Sequence, residues 1–207
     1  MAISNYGELK TAIANWLDRD NLTARIPEFI TMAEAAVGRD VRVRQMEKRA
    51  TASISTQYAD MPTDFILQRN IQLNAASEQV RLRYLTPEQM DMYYPSEAGG
   101  QPKAYSIIGT EFQFKPVPDA AYTIEIAYFA RFSTLSADTD SNWLLTNQPG
   151  IYLYAALVQA APYIEDDKQT QLWAALYNAE VQALNKQDKE ARYSGASLRM
   201  TTDVGDP

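Results

Sequence analysis

Apolar residues in this chain recur with a helical period toward both ends and with a period of two in the middle, an order that few folds satisfy. Tyr6, Leu9, Ile13 and Trp16 fall on one helical face, preceded by Asn5 and, three residues on, Glu8, the spacing of a capping box. After the polar turn Asp18-Arg19-Asp20-Asn21, a second stripe follows: Ile26, Ile30, Ala33, Val37 and Val41. Pro27 is tolerated only in the first turn of that helix, and Gly38 weakens its far end by about 1 kcal/mol relative to Ala. Two helices with so short a link form an antiparallel pair.

The period then shortens. Ala50, Ala52 and Ile54 alternate with Thr51, Ser53 and Ser55, as in a half-buried strand. Arg69 to Leu73 and Gln79 to Tyr84 predict a hairpin around 74–78, with Val80, Leu82 and Tyr84 on one face. Thr86-Pro87-Glu88-Gln89 starts a short helix that ends before Pro95. Ala104 to Ile108 and Glu111 to Phe114 flank Gly109-Thr110, a tight hairpin, and Tyr122, Ile124, Ile126 and Tyr128 alternate cleanly. Links this short predict a small antiparallel sheet.

A loop from Ser133 to Gln148 leads back to helical spacing. Pro149 suits a first turn, with Tyr154, Leu157, Val158 and Ala161 as the buried stripe. In the last helix Leu172, Leu176, Ala179 and Ala183 share a face, with Trp173, Tyr177, Val181 and Leu184 beside them, a stripe wide enough for more than one neighbour. Ser, Gly and Pro break any helix near the end, yet Tyr193, Leu198 and Met200 are apolar groups that a solubilising tail does not need. The expectation is an α+β fold: a helix pair over 1–48, an antiparallel β-domain with a short helix over 49–132, a loop over 133–148, a second helix pair over 149–192 that completes one bundle with the first, and an arm over 193–207.

Composition narrows the chemistry. With no His and no Cys, Ser-His-Asp and Cys-His nucleophile systems, thiolate or imidazole zinc sites and disulfides are out of reach. Carboxylates, Lys and Tyr are left as acid–base groups, and hard oxygens as metal ligands. The net charge of −7 repels phosphate and anionic lipid. The opening residues carry no basic, apolar leader pattern, and the apolar stretch from Ile151 to Ala161, interrupted by Gln159, is too short to span a bilayer. Glu165-Asp166-Asp167 lacks the alternation and glycine of a calcium loop and reads as negative charge at a helix start. Asp138 and Asp140 read as loop solvation, since two carboxyl groups make a glycosidase only when held across a cleft. No cofactor is expected.

Arg39, Arg42, Arg44, Lys48 and Arg49 form the densest cationic stretch. Compensation of a helix dipole ranks first for it, pairing with carboxylates of a neighbouring subunit second, and nucleic acid last. The 13 Tyr, with Tyr93-Tyr94-Pro95 and Tyr128-Phe129 as clusters, favour burial of aromatic groups against partner proteins.

Several blocks carry a resemblance. Leu22-Thr23-Ala24-Arg25-Ile26-Pro27-Glu28-Phe29-Ile30, Ala33-Glu34 and Arg42-Val43-Arg44-Gln45-Met46-Glu47 come first. Met61-Pro62-Thr63-Asp64-Phe65, Leu85-Thr86-Pro87-Glu88 and Pro102-Lys103-Ala104-Tyr105-Ser106-Ile107-Ile108-Gly109 follow, then Tyr128 to Arg131 and Asn142-Trp143-Leu144-Leu145. In this order, over nearly the whole chain, they resemble the head-to-tail adaptor proteins of short-tailed phages. Gly38 departs from the better helix former usual in similar proteins.

The resemblance implies a structural virion protein and no enzyme. It would form a dodecameric ring beneath the portal protein and a platform for the tail nozzle or next tail component, at the head–tail interface of the virion. Genomic DNA would pass through an acidic lumen as a non-specific contact, with no role for a membrane. The arm would reach the portal through Tyr193, Leu198, Arg199 and Met200. Two other readings stand beside it: a virion-associated glycan hydrolase using two carboxylates, and a neighbouring connector layer such as a head-completion or stopper protein.

Overall fold

The structure is a computed structural model that describes residues 3–74, 79–164 and 167–193. The fold is α+β, and the chain divides into two compact units: Met1–Val43 with Thr134–Pro207, and Arg44–Ser133. The first is a helical bundle drawn from both ends of the chain, and the second is built on two sheets.

In the helical unit, α1 (Tyr6–Leu17) starts at Asn5, whose Oδ1 accepts the Glu8 amide at 2.9 Å. The returning half of the capping box is displaced by one residue: Glu8 Oε2 accepts the Ser4 amide and hydroxyl, each at 2.7 Å. Ser4 presents its amide and its hydroxyl to the same charged acceptor, while the Asn5 side chain is committed to the Glu8 amide through its oxygen. Tyr6, Leu9 and Ile13 are buried as expected, but Trp16 is 49% exposed and meets Tyr154 edge-on at 5.9 Å, while Leu17 takes the core position. α2 (Ile26–Asp40) buries Ile26, Ile30, Ala33 and Val37, with Pro27 in its first turn.

The 133–148 segment is not all loop. Its end folds into α4 (Trp143–Asn147), capped by Asn142, whose Oδ1 accepts the Leu145 amide at 2.9 Å. α5 (Pro149–Ala160) is the hub on which α1, α2, α4 and α6 (Asp167–Tyr193) pack. Ile151, Tyr152, Leu153, Ala155, Ala156, Leu157 and Ala160 are all buried, so of the stripe expected from periodicity only Leu157 lies fully inside. A helix covered from several sides has no single face for its period to report.

α6 also departs from expectation. It buries Trp173, Tyr177, Val181 and Leu184, while Leu172, Ala179 and Ala183 are exposed and Leu176 is half-buried. The hydrogen bonds that orient it explain the choice. Tyr177 Oη donates to Asp40 Oδ2 at 2.7 Å, and Asn185 both donates to the Asp40 carbonyl (2.9 Å) and accepts the Arg42 amide (3.0 Å). Those contacts turn the larger, aromatic stripe inward. The helix runs to Tyr193, the first residue expected in the arm.

In the second unit, β1 (Glu47–Ile54), β8 (Tyr122–Ala130), β3 (Phe65–Asn74) and β4 (Gln79–Arg81) pair antiparallel in that spatial order. The second sheet runs β2 (Tyr58–Asp60), β7 (Glu111–Lys115), β6 (Ala104–Ile108), β5 (Arg83–Tyr84). Ile124, Ile126, Tyr128 and Ala130 alternate into a core shared with Ile54, Ile71, Leu73, Leu82, Tyr105, Phe112 and Phe114, drawn from both sheets. Gly109, at φ +61°, makes the tight β6–β7 turn that other residues adopt only with strain.

The expected single antiparallel sheet is corrected in two respects. β4 stops at Arg81; the Leu82 amide still reaches the Ile71 carbonyl at 2.9 Å, but Arg83 and Tyr84 cross to the other sheet and pair with β6 in parallel. That crossover contains α3 (Pro87–Tyr93), capped reciprocally by Thr86 and Gln89 at 3.2 and 3.3 Å. It supplies the length that a parallel connection demands.

Candidate interaction surfaces

The basic stretch is divided between the two units. Arg39 is exposed in the last turn of α2, where a cation offsets the helix dipole. Arg42 reaches back to the Gly38 carbonyl (2.7 Å) and to its neighbour's, at Val41 (2.5 Å), satisfying acceptors that the helix end leaves open. Arg44 is exposed in a short turn that opens the β unit.

Lys48 and Arg49 leave β1 on opposite faces. Lys48 Nζ is 2.6 Å from Asp64 Oδ2, whose other oxygen accepts the Tyr128 hydroxyl at 2.8 Å. Arg49 forks onto Glu125 at 2.9 and 2.7 Å, and Gln72 donates to the same carboxylate at 3.3 Å. A pairing that seemed open to a neighbouring subunit is thus made partly within the chain: strand pairing brings Glu125 opposite Thr51, two residue pairs along from Arg49 and on the same face.

Asp64 links this cluster to pH. Burial pulls its carboxyl upward, but the hydrogen bonds from Lys48 and Tyr128 outweigh that and hold it below its ordinary 3.8. Tyr128 is pushed up to about 12 by burial and by the same carboxylate. A carboxyl with a lowered folded pKa contributes stability that is complete above its unfolded value and is lost as pH falls through the folded one. Asp64→Asn is therefore expected to cost about 1–2 kcal/mol at pH 7, and progressively less as pH falls through the lowered folded value and the parent carboxyl takes up its proton. Urea unfolding at pH 7 and over a descending acid series measures this; a loss that stays constant across the series would refute the linkage.

The other carboxylates singled out are engaged locally. Asp138 Oδ1 pairs with Lys10 at 2.6 Å. Asp140 Oδ2 accepts the amides of Ser136 (2.8 Å) and Ala137 (2.7 Å), and these bonds lower its pKa. Burial raises the pKa of Glu34, which accepts the Leu135 amide at 2.9 Å. Glu165 and Asp166 lie outside the described residues; Asp167 begins α6. Among the described residues no group of acidic side chains is arranged to hold a metal ion, and no helix is long and apolar enough to cross a membrane.

Two concavities lie on the described surface of the β unit. A polar one of about 410 Å³ is lined by Tyr58, Asp91, Tyr94, Glu97, Gln113 and Lys115. Lys115 is only 3% exposed and is neutralised by Glu97 at 2.7 Å. The larger, about 800 Å³, lies beside the start of β3 and the β6–β7 turn and is walled by Met61, Pro62, Phe65, Ile66, Leu67 and Ile107. Sequence reading did not single out this groove. The signal was Phe65-Ile66-Leu67, three apolar residues in a row, of which a strand with one buried face leaves at least one outside. Leu67 is that residue, 49% exposed.

Of the aromatic clusters, Tyr128 is core, Tyr94 packs on Leu85, Met90 and Ala104, and Met92 and Tyr93 stand out from α3 into solvent. Tyr193 closes α6, and Leu198, Arg199 and Met200 lie outside the described residues. What the described surface offers is contact: an apolar groove, projecting side chains and charges held by their own chain. A family model described as SU10 adaptor protein matches residues 4–201, both units included. No curated protein matches the chain.

Proposed function

This chain belongs to the SU10 adaptor protein family, and from that membership we propose that it is the head-to-tail adaptor of a short-tailed phage. It is a structural component of the virion. Copies form a dodecameric ring beneath the portal, seal the junction and present a platform to the tail nozzle or next tail component. The observation that carries this reading is the extent of the family match, which takes in the helical bundle and the β unit together. The end of α6 and the arm beyond it dock on the portal through Tyr193, Leu198, Arg199 and Met200. The net charge of −7 suits a lumen through which DNA slides without adhering. Of the basic stretch, Arg39 is the residue best placed for a neighbouring subunit: it is exposed and has no ion-pair partner among the described residues, whereas Arg42, Lys48 and Arg49 serve their own chain.

Electron microscopy of the purified chain mixed with portal particles tests the reading. A closed ring on the portal face is expected. Binding that appears only after another connector protein is added would move the chain one layer outward, and no ring in either mixture would overturn the proposal.

A further inference from the structure

The apolar groove of the β unit ends at a charge conflict. Asp60 and Glu111 stand directly opposite each other in the β2–β7 register, where like charges repel, and neither has an ion-pair partner among the described residues. Asp60 lines the groove; Arg131 lines it too and forms no ion pair with either carboxylate. The site has apolar walls, an exposed Leu67 and, at Asp60, a lining carboxylate without an ion-pair partner among the described residues, with Glu111 across the strand pair from it.

The helical unit carries a surface of the opposite kind. Met32, Ala35 and Arg39 are exposed on α2 at i, i+3 and i+7, one stripe about 10 Å long at 1.5 Å per residue. Met32, 44% exposed, is a flexible apolar side chain, Ala35 permits close approach, and Arg39 ends the stripe with a cation.

We infer that the groove of one copy receives the α2 stripe of the next, Met32 entering the apolar walls and Arg39 answering Asp60 and Glu111. The recognition is that of a helix laid in a groove, and charge sets its direction. The occupant is a second copy because both halves lie on this chain as different surfaces, the condition for head-to-tail contacts that close into a ring. Copies of an acidic protein also repel one another, so a cation on one side of the contact offsets that repulsion. The inference rests on the ring reading and names its subunit contact.

The test is a charge exchange, read as ring yield on portal particles. Arg39→Glu alone, and Asp60→Lys combined with Glu111→Gln alone, are each expected to lower the yield about tenfold or more, and the two together to restore it to within about threefold. Since the chain has no Cys, Met32→Cys with Leu67→Cys also allows cross-linking by a short bis-maleimide, expected to give dimers and higher products in assembled rings. Single reversals without effect, an exchange without rescue, or products of monomer mass alone would overturn the inference while wild-type rings still form. If the wild-type chain itself forms no ring, the ring reading fails and this contact with it.

Discussion

Under the proposed docking of the arm, a chain ending at Tyr193 is expected to keep its helical signal and to lose portal binding by at least about a hundredfold. The removed segment contains Leu198 and Met200, and burying two such side chains in a partner is worth about 3–6 kcal/mol together, which converts to two to four decades in affinity. Little stability should be lost, because every buried residue of the bundle core named above lies before Tyr193. Sedimentation of portal particles with labelled full-length and truncated chains makes the comparison. Equal co-sedimentation would remove the arm from the docking reading and leave the portal contact to the folded units.

Phe114→Ala is expected to destabilise the β unit by about 3–5 kcal/mol, through lost transfer energy and the cavity left behind. The Phe114 side chain is fully buried in the core drawn from both sheets, 6.3 Å from the Phe112 ring, and protein cores are packed closely enough that neighbours relax only partly into such a void. With m near 2 kcal/mol/M, the urea midpoint of the strand signal falls by roughly 1.5–2.5 M. The three tryptophans, Trp16, Trp143 and Trp173, all lie in the helical unit, so native fluorescence of the variant in buffer separates local damage from a general failure to fold. A midpoint shift under 0.5 M, on the order of 1 kcal/mol at that slope, would show that this aromatic core is not where the unit's stability resides.

Sites read well from sequence where the relevant chemistry was local. Pro27, Thr86 with Gln89, and Gly109 each act within a few residues of themselves, and the structure places each in the role its neighbours indicate. Asn142 was equally legible: it is followed by Leu144 and Leu145 and caps α4, yet the surrounding polar loop masked it. The basic stretch shows the opposite case. Whether Arg49 faces a partner or its own sheet depends on β8, some seventy-five residues away in the chain, and Glu125 decides it.

What the sequence determined by itself is the order of periods: helix, strand, helix, with caps and turns at the junctions, because hydrogen bonds within a few residues and the side-chain alternation of strand or helix are local properties. Only the tertiary structure decided which stripe of α6 is buried, that α5 is covered from several sides, and that Tyr84 leaves one sheet for the other. Those choices turn on which neighbour arrives, and burial energy is a property of two surfaces in contact, one of which the local sequence does not contain.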